Sequence, residues 1–297
     1  LPMGGYYVKE LATDEHYILS DTKYPVTFEY AGQETAKVQL AVNDGEAIEN
    51  HLIYGSVSGR KVDENGEPLG GALIGLFKYN DTEFTKENAL MTVTSKEDGS
   101  FSFEQIPFGI WYAREIEQPT GFVLNETVYE VNIAENEQVV EIEIANEFVR
   151  GNITLTKVDA DFPDNKLTGA IFEIYQDNNA DGKPDDGDTL IGTLTESEAG
   201  IYEMKDLLYG HYLIKETKAP EGFLLDTGVY SVFIETDGMT HFVENKAGVG
   251  FINKPSTGEL EITKKDVATG KPLPKAGFRI KDADGKEITR QFGYRIV

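Results

Sequence analysis

Three times along the chain an Asn is followed by a Gly five residues on and by a Lys six residues beyond that: Asn50–Gly55–Lys61, Asn146–Gly151–Lys157 and Asn253–Gly258–Lys264. A spacing kept at intervals of roughly a hundred residues marks tandem units of ordinary domain size. Each triplet straddles a junction, with the Asn closing one unit and the Lys opening the next. The chain then divides into 1–54, the C-terminal part of a repeat; 55–150 and 151–257, two complete repeats; and 258–297, the N-terminal part of another. A second signal lies inside the units, where an aromatic-led segment ends on Glu. It reads Tyr6-Tyr7-Val8-Lys9-Glu10, Trp111-Tyr112-Ala113-Arg114-Glu115 and Tyr212-Leu213-Ile214-Lys215-Glu216.

The local pattern between these marks is that of strands. Phe101 and Phe103 alternate with Ser100 and Ser102, and Ile142 and Ile144 with Glu141 and Glu143, the period-two signature of a half-buried strand. Clusters such as Asp63-Glu64-Asn65-Gly66 and Asp98-Gly99 supply the turns. Many short strands so punctuated predict an all-β fold of tandem Ig-like β-sandwich domains, two complete and two partial. Only Asp81–Met91 has a helical look. Residues two apart share a face of a strand, which puts Lys157 with Leu155 and Ile153, Glu216 with Ile214 and Tyr212, and Asn146 with Ile144 and Ile142. A Lys, a Glu and an Asn aimed into one apolar core are costly unless they serve one another.

Composition narrows the function classes. The net charge of −25, from 52 acidic against 27 basic residues, sets the chain against nucleic acid and anionic membrane as partners. With no cysteine, any covalent staple must come from other chemistry. No apolar run reaches the ~18 residues that would span a bilayer. The chain carries no thiol, no His-Glu-x-x-His zinc motif and no phosphate-cradling glycine loop, and His16, His51, His211 and His241 are out of register with one another. A turnover enzyme is not expected.

Further motifs recur in register. A Leu-x-Gly-Ala hinge follows the Lys in Leu69-Gly70-Gly71-Ala72 and Leu167-Thr168-Gly169-Ala170, more loosely in Leu273-Pro274-Lys275-Ala276. A Pro-x-Gly-Phe turn follows the Glu in Pro119-Thr120-Gly121-Phe122 and Pro220-Glu221-Gly222-Phe223; the first repeat has Asp14 and His16 in place of the Pro and Gly. With the Ala170–Ile174 strand and the Glu216–Phe223 segment, these residues resemble the B-type repeats of Gram-positive collagen adhesins and the related SpaA-like pilin domains. The resemblance covers essentially the whole chain. It implies a prealbumin-like sandwich in which a first-strand Lys and a last-strand Asn join spontaneously as an isopeptide, assisted by a Glu. Carried over, Lys61 would bond to Asn146 with Glu115 as catalyst, and Lys157 to Asn253 with Glu216. Glu10, Asn50 and Lys264 would be unpaired members in the partial repeats.

The chemistry of these side chains suits that role. Burial lowers a lysine pKa and so exposes a nucleophilic amine. A buried carboxyl shifts the other way, and while protonated it is expected to donate to the Asn carboxamide oxygen and polarise the carbon under attack. Taken singly, each residue has a plainer reading: a Lys that snorkels to solvent, a satisfied structural Glu, an Asn in a turn. The resemblance further implies a structural stalk of a cell-surface adhesin or pilin-like protein, extracellular and attached to the cell wall. It would be a monomer that needs no cofactor, with any host extracellular-matrix partner held by another region. The alternative is that the repeats themselves grip matrix protein or glycan.

Two other features stand out. Leu1-Pro2-Met3-Gly4-Gly5 looks like a sortase sorting signal, yet it aligns with Ile106-Pro107-Phe108-Gly109 and Leu207-Leu208-Tyr209-Gly210, the entry to the Glu-bearing strand. The acidic stretch Asp177, Asn179, Asp181, Gly182, Asp185 and Asp188 has the spacing of an EF-hand-type calcium loop, with Gly at the sharp sixth position. It departs in carrying Asp at the twelfth position and in lacking flanking helices. Calcium and a plain solvated hairpin loop are the two readings.

Overall fold

The computed structural model describes residues 1–275, 277–281 and 283–287. The backbone divides into two compact units, Leu1–Lys254 and Pro255–Val297. The first unit opens with a two-stranded antiparallel sheet, β1 (Gly4–Lys9) and β2 (Lys23–Phe28), in which Tyr6 faces Val26. The alternation Tyr6, Val8 and Glu10 continues out of β1 toward the reactive-type residues described below.

The next repeat runs through β3 (Tyr54–Asp63), β4 (Leu73–Lys78), β5 (Met91–Thr94), β6 (Ser100–Pro107), β7 (Gly109–Glu117), β8 (Tyr129–Ile133) and β9 (Val139–Asn146). They form two sheets, ordered β6-β3-β9 and β5-β4-β7-β8. Val57, Phe101, Phe103, Ile106 and Ile144 of the first meet Ile74, Leu76, Ala113, Val131 and Ile133 of the second in one core. Each large side chain so buried contributes about 1.5–3 kcal/mol. First and last strands are neighbours and run parallel, with Lys61 opposite Ile144 and Asp63 opposite Asn146. The junction glycine now has a reason: a Cβ on Gly55 would stand 2.7 Å from both Ile133 Cδ1 and the Gln138 carbonyl. Gly151 is as constrained, against Ile234 Cγ2 at 2.9 Å.

The third repeat repeats the plan with β10 (Arg150–Asp159), β11 (Ile171–Gln176), β12 (Thr189–Thr193), β13 (Thr195–Glu198), β14 (Ile201–Leu208), β15 (Gly210–Lys218), β16 (Val229–Ile234), β17 (Thr240–Phe242) and β18 (Phe251–Asn253). One sheet is ordered β13-β14-β10-β17, with β18 also on β10, and the other β12-β11-β15-β16. The single last strand of the previous repeat is here two short ones, interrupted by residues 243–250. Both halves stay parallel to β10, and the register is kept: Lys157 lies opposite Phe251 and Asp159 opposite Asn253.

The helical expectation for Asp81–Met91 is not met. Thr85 accepts from Asn88 and Ala89 in one turn, and Met91 already belongs to β5. An isolated turn cannot repay helix nucleation, whereas Phe84 gains an edge-on contact with Phe77 at 5.0 Å. The turn after the Glu strand is preserved in all three repeats. Phe122 and Phe223 each donate to the Pro three residues back, with Gly121 and Gly222 at positive φ. In the first repeat Tyr17 donates to Asp14, and the Asp14 carboxylate also accepts from the His16 N–H. An Asx-type turn thus replaces the Pro-Gly geometry.

Between the second and third repeats, Arg150 clasps Glu64 through two bonds of 3.0 and 2.5 Å, and Tyr209 N–H donates to the Val149 carbonyl at 2.9 Å. Leu1–Gly5 enters β1 as its counterparts enter theirs. The Tyr6 hydroxyl bonds the Pro2 carbonyl, as Trp111 Nε1 bonds Pro107 and the Tyr212 hydroxyl bonds Leu208. In the second unit the described residues show bridges Lys265–Pro272 and Lys281–Glu287 and no strand, and Lys264 is exposed.

Candidate cross-linking sites

In the second repeat Lys61 comes from β3, Asn146 from the adjacent β9, and Glu115 from β7 in the facing sheet. All three are at most 1% exposed. Lys61 Nζ donates to Asn146 Oδ1 at 2.6 Å and to the Ile144 carbonyl at 3.1 Å. Asn146 Nδ2 donates to both Glu115 oxygens at 2.9 Å, and Glu115 Oε1 is 3.8 Å from Nζ. Glu115 Oε2 also accepts the Asn125 N–H at 2.7 Å. Burial pushes the Lys61 amine below its ordinary range, against the pull of Glu115 and Asp63. Burial pushes the Glu115 carboxyl up, outweighing the opposing effects of the Asn125 N–H, Asn146 and Lys61. A neutral amine beside a protonatable acid is what this pocket favours.

The third repeat builds the same trio from β10, β15 and β18. Lys157 and Glu216 are fully buried and Asn253 is 2% exposed. Asn253 Nδ2 donates to Glu216 Oε1 and Oε2 at 3.1 and 3.0 Å and to the Leu224 carbonyl at 2.9 Å. Lys157 Nζ lies 3.1 Å from Glu216 Oε1 as an ion-pair contact and 4.5 Å from the Phe251 ring centroid. Burial again lowers the lysine, against the charge of Glu216. Asn253 Oδ1 is buried without a partner, so nothing competes for its carbonyl.

One detail differs from the sequence expectation. In both repeats the carboxylate faces the Asn Nδ2 and not Oδ1, which places it to handle protons on the leaving nitrogen. In the second repeat it is the lysine that bonds the carbonyl oxygen.

Residues 1–54 hold part of such a site. Asn50 Nδ2 donates to Glu10 Oε1 at 2.8 Å, and Glu10 Oε2 accepts the Ser20 N–H at 2.9 Å. This is the Glu–Asn arrangement of the complete repeats without a lysine. The Asn50 bond, followed by the Ser20 N–H, holds Glu10 below the usual carboxylate range. Both residues are half-buried beside a recess bordered by Val8, Tyr17 and Ile48. Lys264 lies in the second unit.

Sequence reasoning passed over Ser20, Asn125 and Asp226, whose backbone N–H groups each donate to the Glu ten residues earlier. The available signal was a small polar residue at that constant offset.

The acidic loop of the third repeat is braced by bonds to its own backbone, while Asp188 Oδ1 is buried without a partner. Asp177, 4% exposed, accepts from the Asp181 and Gly182 N–H groups, and Asp181 from Lys183. Asp185 accepts from Asn179 and Gly187, and Asp188 from the Asp185 N–H. Among the described residues no three acidic or histidine side chains converge as ligands for a metal ion.

Comparison with known proteins agrees with the fold. The profile of the SpaA prealbumin-like fold domain matches residues 55–147 and 151–247, and the chain belongs to that family. Its structure is similar to that of the Bacillus anthracis TIE protein, at 32% identity and a TM-score of 0.66 over 81% of this chain and 41% of that one. It thus spans well under half the length of that relative. Also similar are a streptococcal ancillary pilin (21% identity, TM-score 0.32, 86% of this chain and 76% of that one) and a C-terminal fragment of the pilus adhesin SpaC from Lactobacillus rhamnosus GG (17% identity, TM-score 0.42, 70% and 100%). No curated protein sequence matches the chain. Among the described residues no helix is long and apolar enough to cross a membrane.

Proposed function

We propose that this chain is a stretch of stalk from a Gram-positive surface protein, adhesin or pilin-like, attached to the cell wall. Each complete repeat would be locked by a spontaneous amide between Lys61 and Asn146 or between Lys157 and Asn253. The observation that carries the reading is a fully buried lysine amine 2.6 Å from a buried carboxamide, with a carboxyl group on the other end of that amide. Two such ionisable groups are not kept in a core for stability alone, since apolar replacements serve as well or better.

The reaction follows from the placement. The neutral amine attacks Asn Cγ, the new C–N bond forms, and the oxygen carries the developing charge. The Glu, protonated at the outset, gives its proton to Nδ2 as the Cγ–Nδ2 bond breaks and takes one from the attacking nitrogen in exchange. Ammonia departs, and the acid is restored. Packing replaces a diffusional encounter, an advantage of several orders of magnitude. The site reacts once and is consumed, so it does not turn over.

Intact mass tests this directly. Two complete repeats should each be about 17 Da light, one ammonia per amide formed. Lys61→Ala should restore one increment and Lys157→Ala the other. A mass equal to that of the unmodified sequence refutes the proposal.

A further inference from the structure

The residue that follows the Glu by ten positions does more than donate its N–H. In the second repeat Asn125 Nδ2 also reaches the Ala145 carbonyl at 2.7 Å. Ala145 directly precedes the reactive-type Asn146, so one residue ties the catalytic-type Glu115 to the end of β9. Its own side chain is fixed by the Thr127 N–H on Oδ1 at 2.8 Å.

The third repeat has Asp226 at that position. The Gly228 N–H bonds Asp226 Oδ1 at 2.8 Å, as Thr127 does Asn125, but a carboxylate has no hydrogen to offer the strand. The gap is filled by Asn245, from the segment that interrupts the last strand. Asn245 Nδ2 donates to Asp226 Oδ2 at 2.5 Å and to the Ile252 carbonyl at 2.9 Å, and its Oδ1 accepts the Ile252 N–H at 2.6 Å. Ile252 precedes Asn253 as Ala145 precedes Asn146. The Tyr230 hydroxyl also donates to Asp226 Oδ2 at 2.8 Å. Burial pushes the Asp226 carboxyl up, but the bonds from Asn245, Gly228 and Tyr230 and the charge of Lys157 outweigh it. The group is therefore an ionised acceptor.

β18 has three residues and pairs along one edge with β10. Asn245 gives Ile252 on its other side the donor and acceptor that a neighbouring strand would supply. We propose that Asn125 in the second repeat, and the Asp226–Asn245 relay in the third, are positioning residues that hold the Asn-bearing strand at the distance from Glu and Lys that amide formation requires. The interruption in the last strand is thereby accommodated: it brings its own clasp. The proposal rests on the cross-linking reading for its chemical readout, and on the strand alone for its second.

The test uses the whole chain with Asn245→Ala, and with Asn245→Ala combined with Asp226→Asn. An Asn at 226 can donate to the Ile252 carbonyl directly, as Asn125 does to Ala145. After digestion, the Lys157–Asn253 cross-linked peptide is quantified against the Lys61–Asn146 peptide of the same molecules as internal reference. Asn245→Ala should lower the third-repeat yield at short times after synthesis by tenfold or more, and the double variant should recover most of it. Hydrogen exchange at the Ile252 amide should quicken at least tenfold in the single variant.

Full cross-linking in Asn245→Ala overturns the proposal. So does failure of Asp226→Asn to rescue when exchange shows the repeat folded. If the wild-type chain has lost no ammonia in either repeat, the cross-linking reading fails on its own. In that case the exchange rate decides the clasp: unchanged protection of Ile252 in Asn245→Ala overturns it.

Discussion

Replacing Glu115 by Gln keeps the shape of the second site and removes its proton carrier. Lys61 and Asn146 stay 85 positions apart in sequence and remain neighbours in space, but the amide should not form. For a loop of that length the chain-entropy relation gives about 4–5 kcal/mol of stability lost, through the freed unfolded chain. In a domain of this size that lowers the melting temperature by roughly 20–35 °C. The loss is larger than any single ordinary contact in the repeat would produce, and it is local. The third repeat has its own core and its own lysine, so calorimetry should show one transition moving far down and the other staying within a few degrees. Intact mass must be read on the same sample. Glu115→Gln with the amide still formed refutes the catalytic role of Glu115. Loss of the amide with both transitions unmoved refutes the claim that the bond is what stabilises the repeat.

The tyrosines supply a pH test. Burial, with the Asp226 bond adding to it, pushes Tyr230 up to about 12, and burial does the same to Tyr202. A folded-state pKa above the unfolded one contributes stability present below the unfolded value and lost as pH rises toward the folded one. The third repeat should therefore weaken between about pH 10 and 12, with the two phenols ionising late in an absorbance titration; ionisation of all tyrosines near the exposed value would contradict their burial. For the acidic loop, a rise in melting temperature at millimolar calcium would show Asp177, Asn179, Asp181, Asp185 and Asp188 holding the ion, and an unchanged melting temperature would leave it a plain solvated hairpin loop.

Much of this was legible beforehand because strand parity is strict. Lys157 shares a face with Leu155 and Ile153, both buried, and Glu216 with Ile214 and Tyr212, so parity aims both into the core; that Asn253 is their partner came from the resemblance. The junction glycines were visible as a pattern, but their cause, the approach of Ile133 and Ile234, is a contact between sheets that spacing alone does not express. The Asn245 clasp was hidden for a related reason. It arises in an irregular stretch, where no period assigns a face, and it replaces a donor lost at Asp226, a compensation seen only when two distant residues are placed together. At Asp81–Met91 local propensity misled, since Phe84 packs on Phe77 and the segment follows that contact.

The parallel pairing of β3 with β9 has a mechanical meaning. The chain enters the repeat at Tyr54 and leaves it at Asn146, at opposite ends of one ladder. A pull on the two ends therefore loads the rungs together in shear, where they share the force, instead of opening them one after another as a zipper. With an amide from Lys61 to Asn146 the taut path shortens to the length of β3 plus one side-chain bridge. The intervening residues, which could otherwise pay out about 300 Å of slack at full extension, drop out of the line of force. A row of units so bonded would be a tether of fixed length, neither yielding nor dissipating, and a tug at one end would reach the other undiminished.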